Sequence, residues 1–298
     1  MLRHAKKVIE KMINLPRNLV ALALIVCWQT GSAFAHEYWL EPLEYTIEKG
    51  QALQGNLRNG QDFKGSDYSF IKSGFEQFTI NKPTGASPVT GRSGDRPALN
   101  QNADETGLIS VSYQGNFDRL VFNDAEKIVH YIEYEGLDGV LERHLERGFS
   151  EARFQEQYAR CAKALYQVGA PNADDKDGLT GLKFELVAEA NPYTLSPSDA
   201  LPVRLYWEGK PMSNKQIRMF RFNGELKTQI FRTDDEGRAE IPLEGGGKFM
   251  LNAVHIFEGD DDPDTKLAEW VSYWASLTFG LADSDELLAK VTQDKASE

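Results

Sequence analysis

Between residues 181 and 280 the chain breaks into short β-forming runs at nearly even spacing, and this rhythm restricts the architecture more than any other feature of the sequence. LKFELVAEA, PVRLYWEGKPM, KQIRMFRFNG, LKTQIFRTD, GRAEIPL, KFMLNAVHIF and WVSYWASLTF are separated by turn residues such as Asn191-Pro192, Asn223-Gly224 and Glu236-Gly237. Aromatic and β-branched residues suit a half-buried pleated surface, while Gly, Asn and Pro supply the turns. About seven strands so spaced predict an immunoglobulin-like or prealbumin-like antiparallel sandwich over 179–280.

A second β region precedes it, over 36–122. Residues 43–60 alternate and turn at Gly50, Gly55 and Gly60, and 68–80 and 108–113 add short β-rich runs. The Pro/Gly/Ser/Asn-rich stretch 81–107 reads as a long exposed excursion. The period then becomes helical over 123–147. Residues 150–168 place Phe154, Tyr158, Cys161, Leu165 and Val168 on one stripe, with Ser150 as N-cap and Gly169 as stop, which predicts a further helix. The expected fold is mainly β, with two antiparallel sandwich regions joined by a helical connector over 123–178, and a polar tail over 281–298.

The N-terminal segment 1–35 reads as an export leader. Arg3, Lys6, Lys7, Lys11 and Arg17 form a basic region, Leu19 to Cys27 a short apolar one, and Ala33-Phe34-Ala35 a small-residue cleavage site. The apolar run falls short of the roughly 18 to 20 residues that span a bilayer, so no stable membrane insertion is expected after processing. Val26 stands where a lipoprotein signal wants a small residue before Cys27. Cleavage after Ala35 sends a chain beginning at His36 to the periplasm. Processing turns 33 basic and 45 acidic residues into 28 and 44, and the formal charge falls from −12 to −16. That surface repels nucleic acid. Once Cys27 is gone, Cys161 stands alone, which excludes an intramolecular disulfide and a Cys-rich metal cluster.

The new N-terminus constrains the chemistry. His36 carries a free amine and an imidazole on one residue, two nitrogens with which to chelate a divalent metal, and Glu37 follows directly. In 249–257 strand alternation puts Phe249, Leu251, Ala253, His255 and Phe257 on one apolar face. A half-buried His255 there is either a core residue hydrogen-bonded to a tyrosine or a carbonyl, or a ligand. The loop Glu258-Gly-Asp-Asp-Asp-Pro-Asp264 follows, and a hairpin sets His255 near its mouth, so that His36, His255 and one of Asp260, Asp261 and Asp262 converge in one expectation. The loop lacks the alternate spacing of an EF-hand. His130 and His144 read as surface or packing residues. No nucleophile elbow, zincin motif, phosphate loop or dinucleotide fingerprint is present.

The start AHEYWLEP, the run QYARCAKAL, the long stretch GLKFELVAEANPYTLSPSDALPVRLYWEGKP, and then RTDDEGRAEIPL, LNAVH and WASLTF occur in order, and together they resemble the DUF4198 family of exported bacterial proteins. The resemblance spans roughly 36–280. It implies a periplasmic β-rich protein, and for some members an accessory part in nickel or cobalt uptake; His36 matches the family's histidine after the leader and His255 the His of its A-V-H strand.

These readings lead to one expectation: an exported protein that captures Ni²⁺, Co²⁺ or Cu²⁺ and passes it to a membrane metal transporter, without chemistry on a substrate. Imidazole suits all three ions and Cu²⁺ has the highest intrinsic affinity, so ligand type does not name the metal. Two alternatives remain open. One is a histidine-brace copper oxidase using His36 and His255 with Tyr273 as axial group. The other is a cell-envelope peptide or glycan binding module, with Trp39, Trp207, Trp270 and Trp274 as platforms, although such aromatics more often belong to a core.

Overall fold

The computed structural model describes residues 36–259 and 268–282. The expected leader over 1–35, Asp260, Asp261 and Asp262, and the expected tail beyond residue 282 lie outside the described residues. Strands of the first half are β1 (Glu37–Pro42), β2 (Thr46–Ile47), β3 (Ala52–Gln61), β4 (Lys64–Tyr68), β5 (Phe75–Lys82), β6 (Gly85–Pro88), β7 (Leu99–Asn102), β8 (Gly107–Gly115) and β9 (Asp118–Phe122). Two helices follow, α1 (Ala125–Glu135) and α2 (Val140–Glu146), and then β10 (Phe154–Val168). The second half holds β11 (Phe184–Ala188), β12 (Ala200–Trp207), β13 (Lys210–Pro211), β14 (Gln216–Phe222), β15 (Leu226–Arg232), β16 (Arg238–Pro242), β17 (Gly247–Glu258) and β18 (Trp270–Leu281).

The described chain is mainly β, in several antiparallel sheets, and its helical part is small. A ten-stranded sheet runs β15-β14-β17-β18-β10-β8-β5-β6, with β2 and β9 also paired to β10. Strands β1, β3, β4 and β7 form one four-stranded sheet, and β11, β12, β13 and β16 another. These two cover opposite faces of the large sheet. Leu40, Leu53 and Leu57 of the first meet Phe78, Val111, Ala162 and Tyr166. Phe184, Leu186 and Val203 of the second meet Met219, Leu251, Leu277 and Phe279. Two sandwich regions therefore exist, but they share the ten-stranded sheet.

Strand β10 is where the sequence misleads. The run expected as a helix over 150–168 is an extended strand, antiparallel to β8 and β9 and parallel to β18. It is covered on both faces, Ala159, Cys161 and Leu165 on one and Ala162, Ala164 and Tyr166 on the other. A strand buried on both sides shows no period-two alternation, so its apolar residues fell by coincidence on a helical stripe. The stretch 81–107 also differs from expectation. It carries β6 and β7, and Val89, Ala98, Leu99 and Ala103 are buried in the core beneath β3.

The predicted helical period over 123–147 does produce α1 and α2. Asp124 caps α1 by accepting from the backbone N–H groups of Glu126 and Lys127, and Gly136 closes it at φ 64°, a conformation open to glycine at little cost. The helix lies over the same face of the large sheet as β1: Tyr131 stacks on Trp274 with ring centroids 6.0 Å apart.

Candidate functional site

Strands β17 and β18 form the expected hairpin, and the register sets His255 opposite Tyr273. Trp207 stands over both, 4.8 Å from the His255 ring and 4.9 Å from the Tyr273 ring between centroids, with Phe184 and Phe257 completing an aromatic shell. Burial, reinforced by the nearby Lys215 ammonium, lowers the His255 pKa to about 4. Its ring is neutral at ordinary pH, and the buried Nδ1 has no hydrogen-bond partner. Neither the tyrosine nor the carbonyl expected of a core histidine meets that nitrogen.

His36 is on the other side of the sheet. Strand β1 crosses the face that carries Ser276 and Thr278, whose hydroxyls donate to the carbonyl oxygens of Tyr38 at 2.8 Å and Leu40 at 2.5 Å. His255 belongs to the opposite face, with Phe249, Leu251 and Ala253. The expected convergence of the two histidines is therefore not formed: residues of adjacent phase on a strand point to opposite faces, and the sheet intervenes. Asp260, Asp261 and Asp262 lie outside the described residues. Among the described residues no group of three His, Cys, Asp or Glu side chains is close enough to hold a metal ion.

Glu37 finds a different setting. Strand β1 wedges between two cores: Tyr38 and Leu40 turn toward β8 and β10, whereas Glu37, Trp39 and Glu41 turn toward β14 and β17. Glu41 there binds Arg58 and Lys248, each at 2.6 Å. Glu37 has no such cation in contact. It is wholly buried, and apart from its own backbone N–H neither carboxylate oxygen has a partner. Burial, with the Asp62 carboxylate adding to it, raises its pKa to about 7.

Around Glu37 lies a cluster of buried polar groups. Glu135 of α1 and Glu156 of β10 are buried, and burial pushes their carboxyls to about 8 and about 7, the Glu37 charge adding to the rise at Glu135. Tyr131 donates to Glu156 at 3.0 Å, and Asn252 reaches Glu135 at 3.5 Å. Arg218 donates to the Tyr134 carbonyl and covers the Tyr134 ring at 3.6 Å. Arg160 is held between the rings of Trp274 at 4.1 Å and Tyr158 at 4.7 Å, and its Nη1 has no partner. Buried charges that face one another without contact are costly. The cluster thus holds buried groups whose charges are not matched by direct contacts.

Arg160 also lines a cleft of about 210 Å³ walled by Tyr38, Tyr68, Phe75, Tyr113 and Tyr158. Tyr38 stacks on Tyr113 at 5.5 Å and meets Tyr68 edge-on at 5.9 Å. The tryptophans considered as platforms take no part in its walls. Trp39, Trp270 and Trp274 are buried, and Trp207 faces His255. His144 and Cys161 have structural roles. His144 accepts from Trp270 Nε1 at 3.0 Å and turns its other nitrogen to the carbonyls of Ser150 and Arg153; burial pushes the Cys161 thiol up to about 12.

Sequence reasoning named Glu37 and missed Glu135, Glu156, Arg160 and Arg218. A signal was available for two of them. Glu135 completes the buried stripe Ile128, Tyr131, Ile132 of α1, and Arg160 stands among the small buried residues Ala159, Cys161 and Ala162.

The family model described as "Domain of unknown function (DUF4198)" matches residues 33–256. The chain belongs to that family. No curated protein matches the DUF4198 chain. Among solved structures it is similar to the D0-D1 domain of intimin, at 13% identity over 82% of this chain and 97% of that one, with a TM-score of 0.19. It is also similar to Salmonella alpha-2-macroglobulin reacted with methylamine, at 13% identity and a TM-score of 0.20, and to trypsin-activated alpha-2-macroglobulin from Escherichia coli, at 11% identity and a TM-score of 0.20. It covers 83% of itself but only 15% and 16% of those two chains. Likenesses this distant carry nothing further.

Proposed function

We propose that the chain is an exported binding protein for a late first-row divalent cation, Ni²⁺, Co²⁺ or Cu²⁺, acting as an accessory to metal uptake or handling and delivering its ion to a membrane transporter. The observation that carries this reading is Glu37, a fully buried carboxylate without a partner beyond its own backbone, directly after the residue that processing makes the N-terminus. The chelating pair is the amine and imidazole of His36; the Glu37 side chain leaves the backbone on the face opposite the His36 ring, so its carboxylate is an outer partner for the ion and not a third atom of the chelate. His255 is not part of it, because the sheet separates it from β1, and for the same reason His36 and His255 do not form a copper brace for an oxidase. The role is capture, with no residue assigned to turnover.

Calorimetric titration of the processed chain with each ion tests the proposal. An additional residue ahead of His36 and, separately, Glu37→Gln are each expected to weaken binding at least tenfold, about 1.4 kcal/mol. Unchanged affinity in both variants overturns it.

A second reading rests on Arg160. Its unpaired Nη1 at the base of a tyrosine-walled cleft suits a ligand with a ring and a carboxylate, such as a cell-envelope peptide or an acidic glycan. Arg160 lies on Trp274, so indole fluorescence reports occupancy. Uronate oligosaccharides and muropeptides are the probes. No fluorescence change with either set, in a protein that binds metal normally, removes this reading.

A further inference from the structure

Lys163 occupies a core position. In β10 it falls in phase with Ala159, Cys161 and Leu165, facing the sheet that contains β11, and its side chain is fully buried. Its ammonium lies 2.8 Å from Asp177 Oδ2 and 2.9 Å from Glu185 Oε1, and both of those side chains are fully buried too. It also donates to the Gly178 carbonyl at 3.2 Å. Two carboxylates against one ammonium leave an excess negative charge among side chains with no exposed surface, where ions are costly to desolvate.

The two carboxylates differ. Glu185 is held on both oxygens: the Thr180 backbone N–H lies 3.0 and 3.1 Å from them, and the Thr180 hydroxyl donates to Oε1 at 2.9 Å. Asp177 receives the Ala188 N–H on Oδ2 at 3.1 Å, while its Oδ1 is buried with no partner. Cγ of Asp177 is one bond length behind the oxygen that touches the amine. Nucleophile, electrophile, proton carrier and an N–H aimed at the oxygen that gains charge are thus preorganised around one bond.

We propose that Lys163 and Asp177 become joined by an intramolecular isopeptide bond, formed by the protein itself with Glu185 carrying the protons. Glu185 relays one proton from the Lys163 ammonium to Asp177 Oδ1, giving a neutral amine beside a neutral carboxylic acid. Nζ then attacks Cγ, and the Ala188 N–H stabilises the charge that grows on Oδ2. Glu185 takes a second proton from Nζ and returns it to Oδ1. The Cγ–Oδ1 bond breaks, that oxygen leaves as water, and an amide N–H remains facing Glu185. Ammonium and carboxylate become amide and water, so atoms and charge balance with no oxidant or co-reactant. Burial pulls the Lys163 ammonium down, but Asp177 and Glu185 outweigh it and hold it above the usual lysine range, so attack passes through the proton-transferred form of the pair. The product removes two buried charges and ties β10 to the segment that leads into β11.

The test is a peptide map of the purified, processed protein after denaturation and tryptic digestion. The expected result is a branched peptide containing Lys163 and Asp177, lighter than its two parts by one water, about 18 Da, with no cleavage after Lys163. Recovery of both residues only in linear peptides of full mass overturns the proposal, and this holds whether or not any variant folds. Asp177→Ala is expected to abolish the branched peptide. Glu185→Gln should leave the linear form predominant; a fully cross-linked Glu185→Gln protein refutes the proton-carrying role.

Discussion

Glu156→Gln should flatten the decline of stability with rising pH. Glu156 is buried under α1, where Tyr131 donates to it at 3.0 Å, and burial pushes its carboxyl to about 7 from the 4.5 that it regains on unfolding. Between those values the folded chain holds a proton that the unfolded chain has released. The associated stability is complete below pH 4.5 and is lost as pH climbs through 7. A rise of this size corresponds to about 3 kcal/mol, and most of it, about 2.5 kcal/mol, disappears between about pH 5 and 8.5. Glutamine is neutral throughout and keeps an acceptor oxygen for Tyr131. Urea denaturation at several pH values in that range, with m constant, measures the difference. From pH 5 to 8.5 the variant should gain about 2 to 3 kcal/mol relative to the parent. Glu135, raised to about 8, titrates in the same direction, so the variant keeps part of the slope. Parallel stability curves for parent and variant would refute the account of Glu156 as a desolvated, proton-holding group.

Three other outcomes follow from the packing. Trp207→Ala opens the aromatic shell over His255, so its imidazole pKa should climb from about 4 toward 6.5, as NMR titration of the ring protons would show. Phe154→Ala removes a fully buried ring stacked on Trp270 at 5.8 Å and should cost about 3 to 5 kcal/mol in chemical denaturation. Ala162→Leu forces a large side chain beneath β1, at a site with no exposed surface, and should cost about 1 to 3 kcal/mol; a neutral result would mean that β1 does not sit tightly on β10.

The strands of 179–280 were legible because they alternate and end in turn residues, and the β17–β18 hairpin follows from that pattern, whereas its register, with His255 opposite Tyr273, does not. Strand β10 was not legible. Its alanines and its double burial erase the alternation that marks a strand, and what remains imitates a helix. The site was half legible for a related reason. Local sequence shows that His255 shares an apolar face and that Glu37 follows the histidine expected to begin the processed chain, but which face of the large sheet β1 covers is decided by strands far away in the chain. Glu135, Arg160 and Lys163 each put a charge in an apolar phase. Read that way, they mark the buried polar clusters before any coordinates are known.

Strand β1 accepts hydrogen bonds from β18 across 238 positions of sequence, and β10 finds its parallel neighbour in the same late strand. A chain that emerges N-terminus first delivers β1 and β10 long before the strand that completes their surroundings. Contacts of such separation slow folding, so the early segments must wait as open, adhesive edges. The last strand therefore acts as the release step of assembly. A truncation before Trp270 would leave the first half not as an independent domain but with open edges exposed to chaperones and proteases.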